Sequence, residues 1–194
     1  MLAQLAALYP ALFGPTLRPL KRGIYEDLLA AQPAVLEAES LKLALAQHTR
    51  STRYLAAVAS GQQRHDLDGT PVEALTPEQV HHALIEVFRR RSARSSHDLK
   101  PQLRRGILKN YEASGLSPSA YMQRVESKNE DVNQLTQEAL AEASARIARE
   151  DALLRAFEAG GQDVDTFAGM YGLPAREAAG ALERARIRRD VAPA

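Results

Sequence analysis

The sequence predicts a mainly α-helical protein, in which a compact helical domain with one small β-hairpin is followed by a helical extension. Apolar residues make up 45% of its 194 residues, which is enough for a buried core. Ala and Leu dominate that share and favour helices, whereas β-branched residues are sparse. The main exception is Asp68-Gly69 between two short extended runs, which predicts a hairpin over about residues 62–73.

Helices in the first half are separated by proline, glycine and hydroxyl-bearing residues. Apolar spacing predicts a helix from Leu2 to just before Pro10, and a loop follows over residues 14–19. Further helices are expected at residues 22–32, 36–48 and 51–59, and from residue 77 into the arginines that follow residue 88. The last of these has the strongest start, because Thr76 can cap it and Gln79 completes a capping box.

The second half has a different character, with a basic start at residues 93–109. A helix is expected over about residues 98–114, ended by Gly115, and another begins at Ser117-Pro118. Residues 131–159 predict one long helix, and residues 164–189 predict a terminal helical hairpin. We therefore expect two domains, residues 1–92 and residues 93–194.

Several classes of protein do not fit this composition. The chain has no cysteine, which excludes disulfides and thiolate metal sites and fits a reducing cytoplasm. No apolar run approaches the ~20 residues of a membrane span, so no membrane association is expected. Residues 1–13 are apolar but lack a basic leader, which is atypical of a signal peptide. The first helix has no capping residue, which leaves open whether natural residues precede Met1.

Nothing in the sequence indicates catalysis, a cofactor or a metal ion. His81 and His82 are adjacent, so on a helix they diverge by about 100° and form no ordinary ligand pair. There is no nucleotide-binding glycine loop and no persuasive Ser–His–Asp arrangement. We expect a binding protein and not an enzyme.

Positive charge is concentrated in one stretch of a nearly neutral chain. The formal net charge is only +1. Between residues 89 and 109, one acid, Asp98, faces eight basic residues: Arg89, Arg90, Arg91, Arg94, Lys100, Arg104, Arg105 and Lys109. This basic stretch could bind phosphates as an auxiliary patch, or it could be a solvated linker. The sequence leaves both interpretations open.

Three motifs in the first half resemble the ProQ/FinO family. They are Leu17 to Leu28 (LRPLKRGIYEDL), Thr49 to Leu55 (TRSTRYL) and Gly61 to Gly69 (GQQRHDLDG). Their order and spacing match that family's domain, and the resemblance covers about residues 2–88. It implies a compact helical domain that binds RNA and acts as a chaperone for it.

The resemblance also implies which RNA is bound. It indicates terminator-like hairpins with 3′ single-stranded tails, as in small RNAs and mRNA 3′ ends, and a role in annealing, strand exchange or RNA stability in post-transcriptional regulation. The residues that the resemblance implies contact RNA are Arg18, Lys21, Lys42, Arg53, Tyr54 and Arg64. The chain departs from the family's pattern at Thr52, where relatives often have an aromatic residue, and at Ala46, where some have a basic one.

The chemistry of these residues suits RNA independently of the resemblance. Arg and Lys contact phosphates, and the planar guanidinium of Arg64 offers a fork of donors. Tyr54 could stack on a base or bind through its hydroxyl. A helix that begins near Ser51 presents free N–H groups and binds anions, so a 3′ nucleotide could lie near Thr49 and Ser51.

Each candidate also has a structural interpretation. Tyr54 could simply pack in the core. Arg53 is expected to form an exposed or structural ion pair more readily than Arg64 does, and Lys42 could lie on a solvated helix face.

The C-terminal region supports two alternative functions. Residues 167–182 resemble a helix-turn-helix, and five arginines lie nearby: Arg176, Arg184, Arg186, Arg188 and Arg189. A DNA-binding regulator is therefore one alternative. The other is a protein-interaction scaffold in which the C-terminal helices, the long helix above all, dock a protein partner.

Overall fold

The N-terminal helices are short because proline and glycine interrupt them. In the computed structural model, which describes residues 1–191, they are α1 (Leu2–Leu8), α2 (Pro10–Phe13), α3 (Ile24–Ala31), α4 (Ala38–Arg50) and α5 (Thr52–Ala59). Pro10 ends α1 as predicted but also starts α2, since proline suits the first helical position. The start of α3 is two residues later than predicted, because Gly23 has a left-handed φ of 81°.

The predicted hairpin is confirmed as β1 (Arg64–His65) paired antiparallel with β2 (Pro71–Glu73). Asp66 shapes the connection, because its Oδ1 accepts hydrogen bonds from the N–H groups of Asp68 and Thr70 at 3.1 and 2.9 Å. The predicted loop before α3 ends in an extended stretch, residues 19–21, that pairs with β1 in parallel around Leu20. This stretch is called the Leu20 segment below.

A continuous apolar core joins α1 to α5. Leu5, Leu12, Leu28 and Leu41 are completely buried in it, and Tyr54 of α5 belongs to the same cluster. The predicted apolar face of α4 is confirmed, since Leu41, Leu45 and His48 all point inward. This core holds the start of α5 and the Leu20 segment in one rigid arrangement.

The next helices are α6 (Pro77–Ser92), α7 (Lys100–Ser114) and α8 (Pro118–Val125). The capping box at the start of α6 is confirmed, with Thr76 and Gln79 exchanging hydrogen bonds. Asn110 Nδ2 donates to the Tyr121 hydroxyl at 2.8 Å, and that hydroxyl lies 3.2 Å from His81 Nδ1. His81, one of the two adjacent histidines in the sequence, thus belongs to a buried polar network between these helices.

The chain ends in α9 (Glu130–Gly160), α10 (Val164–Met170) and α11 (Ala175–Val191), which confirms the long helix and the terminal hairpin. The chain divides into two compact units, one over residues 1–139 and one from residue 140 onward. In the second unit Leu153, Leu154, Phe167 and Leu182 form a separate core. None of the helices described is both long and apolar enough to cross a membrane.

Candidate nucleic-acid interface

A single residue joins α4 to α5. Ser51 has an extended conformation (φ −68°, ψ 146°) and ends one helix while capping the next. Its Oγ accepts a hydrogen bond from the Tyr54 N–H at 3.1 Å, as an N-cap residue does. The N–H groups of Thr52 and Arg53 lie in the first turn of α5, where no intrahelical acceptor is available. The helix start predicted near Ser51 is therefore present, and anion binding at this end stays a prediction.

The hydroxyl of Thr49 is turned onto its own helix. Its Oγ1 donates to the Leu45 carbonyl at 2.9 Å, a common arrangement for threonine inside a helix. The oxygen can still accept a hydrogen bond from a ligand, and the Ser51 hydroxyl can still donate one.

Tyr54 does not present its ring to solvent. The residue is only 6% exposed, and its ring packs beside His48 with centroids 5.1 Å apart. Its hydroxyl accepts a hydrogen bond from the Leu20 N–H at 3.0 Å. Burial raises the pKa of this phenol. The core surrounds the ring in this conformation, so it is not available for stacking on a base, and a contact between Tyr54 and RNA stays a prediction.

Arg64 is also engaged mainly with the protein. Its Nη1 donates to the Leu20 carbonyl at 2.9 Å and its Nη2 to Gln79 Oε1 at 3.3 Å. Its Nε lies 3.0 Å from Glu73 Oε1, which is an ion-pair distance. Tyr54 and Arg64 therefore bind the backbone of the same residue, one at the N–H of Leu20 and the other at its carbonyl.

Arg18 precedes the Leu20 segment that these two residues hold, and Lys21 is the last residue of the segment. The Nη1 of Arg18 donates to the Gly69 carbonyl at 2.9 Å, while Lys21 Nζ pairs with Asp27 at 2.7 Å. The hydrogen bond with Asp27 raises the pKa of Lys21. Both cations remain partly exposed.

Arg53 and Lys42 are the exposed members of the predicted set. Arg53 Nη2 donates to the Pro15 carbonyl at 2.9 Å and makes no ion pair within the described residues. The expected ranking was wrong, because Arg64 forms the ion pair and Arg53 does not. Lys42 lies on the solvent face of α4 beside Leu43, which fits its structural interpretation as well as a contact role.

Some members of the basic stretch form ion pairs and others do not. Glu86 binds Arg89 at 2.7 Å and Arg90 at 2.6 Å, and these hydrogen bonds, the Arg89 one foremost, lower the pKa of Glu86 to about 2. Arg104 pairs with Glu138 at 2.8 Å. The other members are exposed and unpaired within the described residues: Arg91, Arg94, Lys100, Arg105 and Lys109. Only residues 93–99 lie between helices, so most of the stretch is helical and not a linker.

Arg90 connects this stretch to the α4–α5 junction, which the sequence did not reveal. Its Nη1 donates to the Arg50 carbonyl at 2.6 Å and lies 3.5 Å from Thr52 Oγ1. Arg50 itself is exposed and adds a cation at the junction. Gln79 is the other missed residue, since it serves both the capping box and Arg64. The capping box was a local signal for Gln79, but nothing in the sequence relates residue 90 to residue 50.

Three of the five arginines near the predicted helix-turn-helix are paired with acids of α9. Glu150 is buried, and it accepts hydrogen bonds from Arg184 at 2.8 Å and Arg188 at 2.6 Å. Arg189 pairs with Glu158 at 2.8 Å. These three arginines stabilise the packing of α11 on α9, and a DNA backbone could reach them only by replacing those ion pairs.

Comparison with known proteins gives this geometry a context. The sequence model of the ProQ/FINO family matches residues 1–100, slightly more than half of the chain. The chain belongs to the ProQ/FinO family. The resemblance read from three motifs is thereby confirmed. The ProQ/FinO match contains all eight predicted RNA-contact residues, and it divides the basic stretch between Lys100 and Arg104.

The curated relatives are longer proteins that share one segment with this chain. A protein named RNA chaperone ProQ from Aeromonas salmonicida (strain A449) is 42% identical over 87 residues, and one from Shewanella oneidensis is 40% identical over 88. Another of that name from Idiomarina loihiensis is 44% identical over 68. The segment covers 43% of this chain and 41% of the Aeromonas protein. The chain therefore matches about two fifths of the length of such relatives.

Proposed function

We propose that this chain is an RNA chaperone that binds a terminator-like RNA hairpin and its 3′ single-stranded tail at the α4–α5 junction. The proposal rests on one observation above all: the first turn of α5 is capped by Ser51, partly exposed and bordered by exposed arginines, within the ProQ/FinO segment. Relatives that share this segment are named RNA chaperones.

The end of the RNA strand suits this turn. A phosphate near the 3′ end would accept hydrogen bonds from the Thr52 and Arg53 amides, which the helix dipole favours. The hydroxyls of Thr49 and Ser51 can pair with ribose hydroxyls, which distinguish RNA from DNA. The exposed side chains of Arg53 and Lys42 would contact the backbone of the tail or of the adjoining duplex.

Tyr54 and Arg64 have a different role in this proposal from the one that the sequence suggested. They act as positioning residues, because both bind the backbone of Leu20 instead of projecting into solvent. These two hydrogen bonds keep Arg18 and Lys21 in place on either side of Leu20. Removing either residue would weaken RNA binding by displacing the cations that make contact.

The first experiment compares three ligands with the purified chain at physiological salt. They are a terminator hairpin with a 3′ uridine tail, the same hairpin without its tail, and a DNA duplex of matched sequence. We expect the tailed RNA to bind at least tenfold more tightly than the other two. Equal, weak binding to all three would contradict the proposal and leave only a nonspecific basic surface.

Chaperone activity requires a second measurement, because binding alone does not establish it. Two complementary RNAs, one of them labelled, are mixed with and without the protein, and the rate of duplex formation is followed. We expect the protein to accelerate annealing or strand exchange of small RNA and mRNA fragments. An unchanged rate together with slower 3′ exonuclease digestion would instead assign the protein to RNA protection.

Protein binding through the second unit is the alternative that a specific observation favours. Met170 and Tyr171, at the end of α10, are 65% and 50% exposed. Large apolar side chains of this kind are enriched in protein interfaces. The DNA alternative has less support, given the ion pairs of Arg184, Arg188 and Arg189. Preferential binding to duplex DNA that is lost on Arg176→Ala would revive it.

A further inference from the structure

A basic cleft of about 420 Å³ lies where α5 begins, α6 ends and α7 begins. Its walls include Arg90, Arg91 and Arg94, together with Thr52 from α5 and Gln102 from α7. Among the described residues that line it there is no carboxylate. Thr52 is the first residue of α5, so the cleft opens next to the helix end where we place the 3′ terminus.

The three arginines of the cleft are not equivalent. Arg90 is bound to Glu86, to the Arg50 carbonyl and to Thr52, so it builds the wall of the cleft, and it shares the Glu86 carboxylate with Arg89. Arg91 and Arg94 are exposed and form neither an ion pair nor a side-chain hydrogen bond within the described residues. The cleft therefore presents two free guanidinium groups, three residues apart.

We propose that this cleft is a second phosphate-binding site, which holds the backbone of the same RNA strand a few nucleotides before its 3′ end. This inference rests on the proposed function of the α4–α5 junction. Guanidinium groups bind phosphates with two parallel hydrogen bonds, and no carboxylate of the described residues is paired with Arg91 or Arg94. Thr52 belongs both to the first turn of α5 and to the lining of the cleft. A strand whose 3′ end lies at α5 can therefore place its preceding nucleotides in the cleft.

The alternative is that RNA binds a general basic surface. On such a surface, the loss of any two positive charges would weaken RNA binding equally. Arg105 and Lys109 of α7 provide the matched control, because both are exposed, unpaired within the described residues and absent from the cleft lining. Two full-length variants, Arg91→Gln/Arg94→Gln and Arg105→Gln/Lys109→Gln, each lose two positive charges. All four positions are on the surface, so both variants should fold, which circular dichroism checks.

Binding of both variants to a fluorescent terminator hairpin with an eight-uridine tail is measured over a range of salt concentrations. We expect Arg91→Gln/Arg94→Gln to lose tenfold or more in affinity. The slope of log affinity against log salt should fall by about 1.4, since each single-strand phosphate contact contributes roughly 0.7. The control variant should lose less than threefold. Equal losses in both variants, or none in the first, would overturn the cleft.

Neutral methylphosphonate linkages, placed one at a time in the RNA, then identify the phosphates involved. Some positions near the 3′ end should weaken binding to the wild-type chain but cost nothing further with Arg91→Gln/Arg94→Gln. Losses that add at every position would show that no phosphate lies in the cleft. Failure of the wild-type chain to bind the RNA at all would overturn the proposed function, and this site with it.

Discussion

The guanidinium of Arg64 is chemically suited to bind phosphate, but its position in the fold gives it a structural role. Its guanidinium reaches the Leu20 carbonyl, the Gln79 amide and the Glu73 carboxylate, and its side chain is only 17% exposed. Arg53 has the opposite character, with one exposed hydrogen bond to Pro15. The two arginines allow structural and contact roles to be separated experimentally.

Arg64→Ala should lower the free energy of unfolding by about 2 kcal/mol, because it leaves the Leu20 carbonyl without its partner and removes a charged hydrogen bond. It should also weaken RNA binding. Arg53→Ala should change stability by no more than about 0.5 kcal/mol while weakening RNA binding as strongly. Urea denaturation and RNA titration of both variants test this. An Arg64→Ala chain of unchanged stability would contradict the positioning role.

Tyr54→Phe isolates the hydroxyl from the ring. The substitution keeps the packing against His48 but leaves the buried Leu20 N–H without an acceptor, which costs about 1–2 kcal/mol. We expect weaker RNA binding through displacement of the Leu20 segment. Amide hydrogen exchange at Leu20 reports this directly and should accelerate. Unchanged exchange with weakened binding would indicate that the hydroxyl contacts RNA itself.

The contact between α6 and α8 depends on a neutral histidine. Asn110 donates to the Tyr121 hydroxyl, so that hydroxyl can donate to Nδ1 of His81, which places the imidazole proton on Nε2. The Nε2 atom is buried and has no partner among the described residues. Burial, with a smaller contribution from His82, lowers the pKa of His81 to about 4. Charging this ring would therefore oppose the packing of the two helices.

Acid should destabilise the protein through His81. The unfolded chain takes up a proton at His81 near pH 6.5, whereas the folded chain does so only near pH 4, so stability falls as pH drops between these values. One such group contributes up to about 2 kcal/mol between pH 7.5 and pH 5. Urea unfolding should show a weaker pH dependence in His81→Gln than in the exposed control His97→Gln. Equal pH dependence in the two variants would contradict this assignment.

At the scale of the whole molecule, the net charge of +1 conceals a division between its two units. The first unit has free cations around the α4–α5 junction and in the basic cleft. The second unit pairs Arg184, Arg188 and Arg189 with acids of α9. We infer that RNA affinity belongs to the first unit, and that the second unit is held together by its own ion pairs.

Glu150→Ala tests this division. Removing this buried carboxylate leaves Arg184 without its acid and Arg188 with Asp151 alone, which should destabilise the second unit by roughly 2–3 kcal/mol. RNA affinity should stay within twofold of the wild type. Glu158→Ala is the control, since its exposed pair with Arg189 is worth less than about 1 kcal/mol. Calorimetry and RNA titration measure both effects, and a large loss of affinity in Glu150→Ala would place part of the interface in the second unit.

The sequence by itself determined the helical class, most helix boundaries, the hairpin and the family. These features depend on local signals: the capping box at Thr76, the left-handed Gly115 after α7 and the Asp-Gly connection of the hairpin all act within a few residues. The motifs that indicate the ProQ/FinO family are equally local.

Only the tertiary structure decided which cations are free. Arg64 binds the Leu20 carbonyl, Arg90 binds the Arg50 carbonyl, and Arg188 binds Glu150. These contacts join residues that are 38 to 44 positions apart in the sequence. Ion pairs and hydrogen bonds require atoms within a few ångströms, and a sequence pattern carries no such distances across a fold. The sequence therefore predicted the residue types of an RNA site, but it did not predict which of them contact RNA and which position the others.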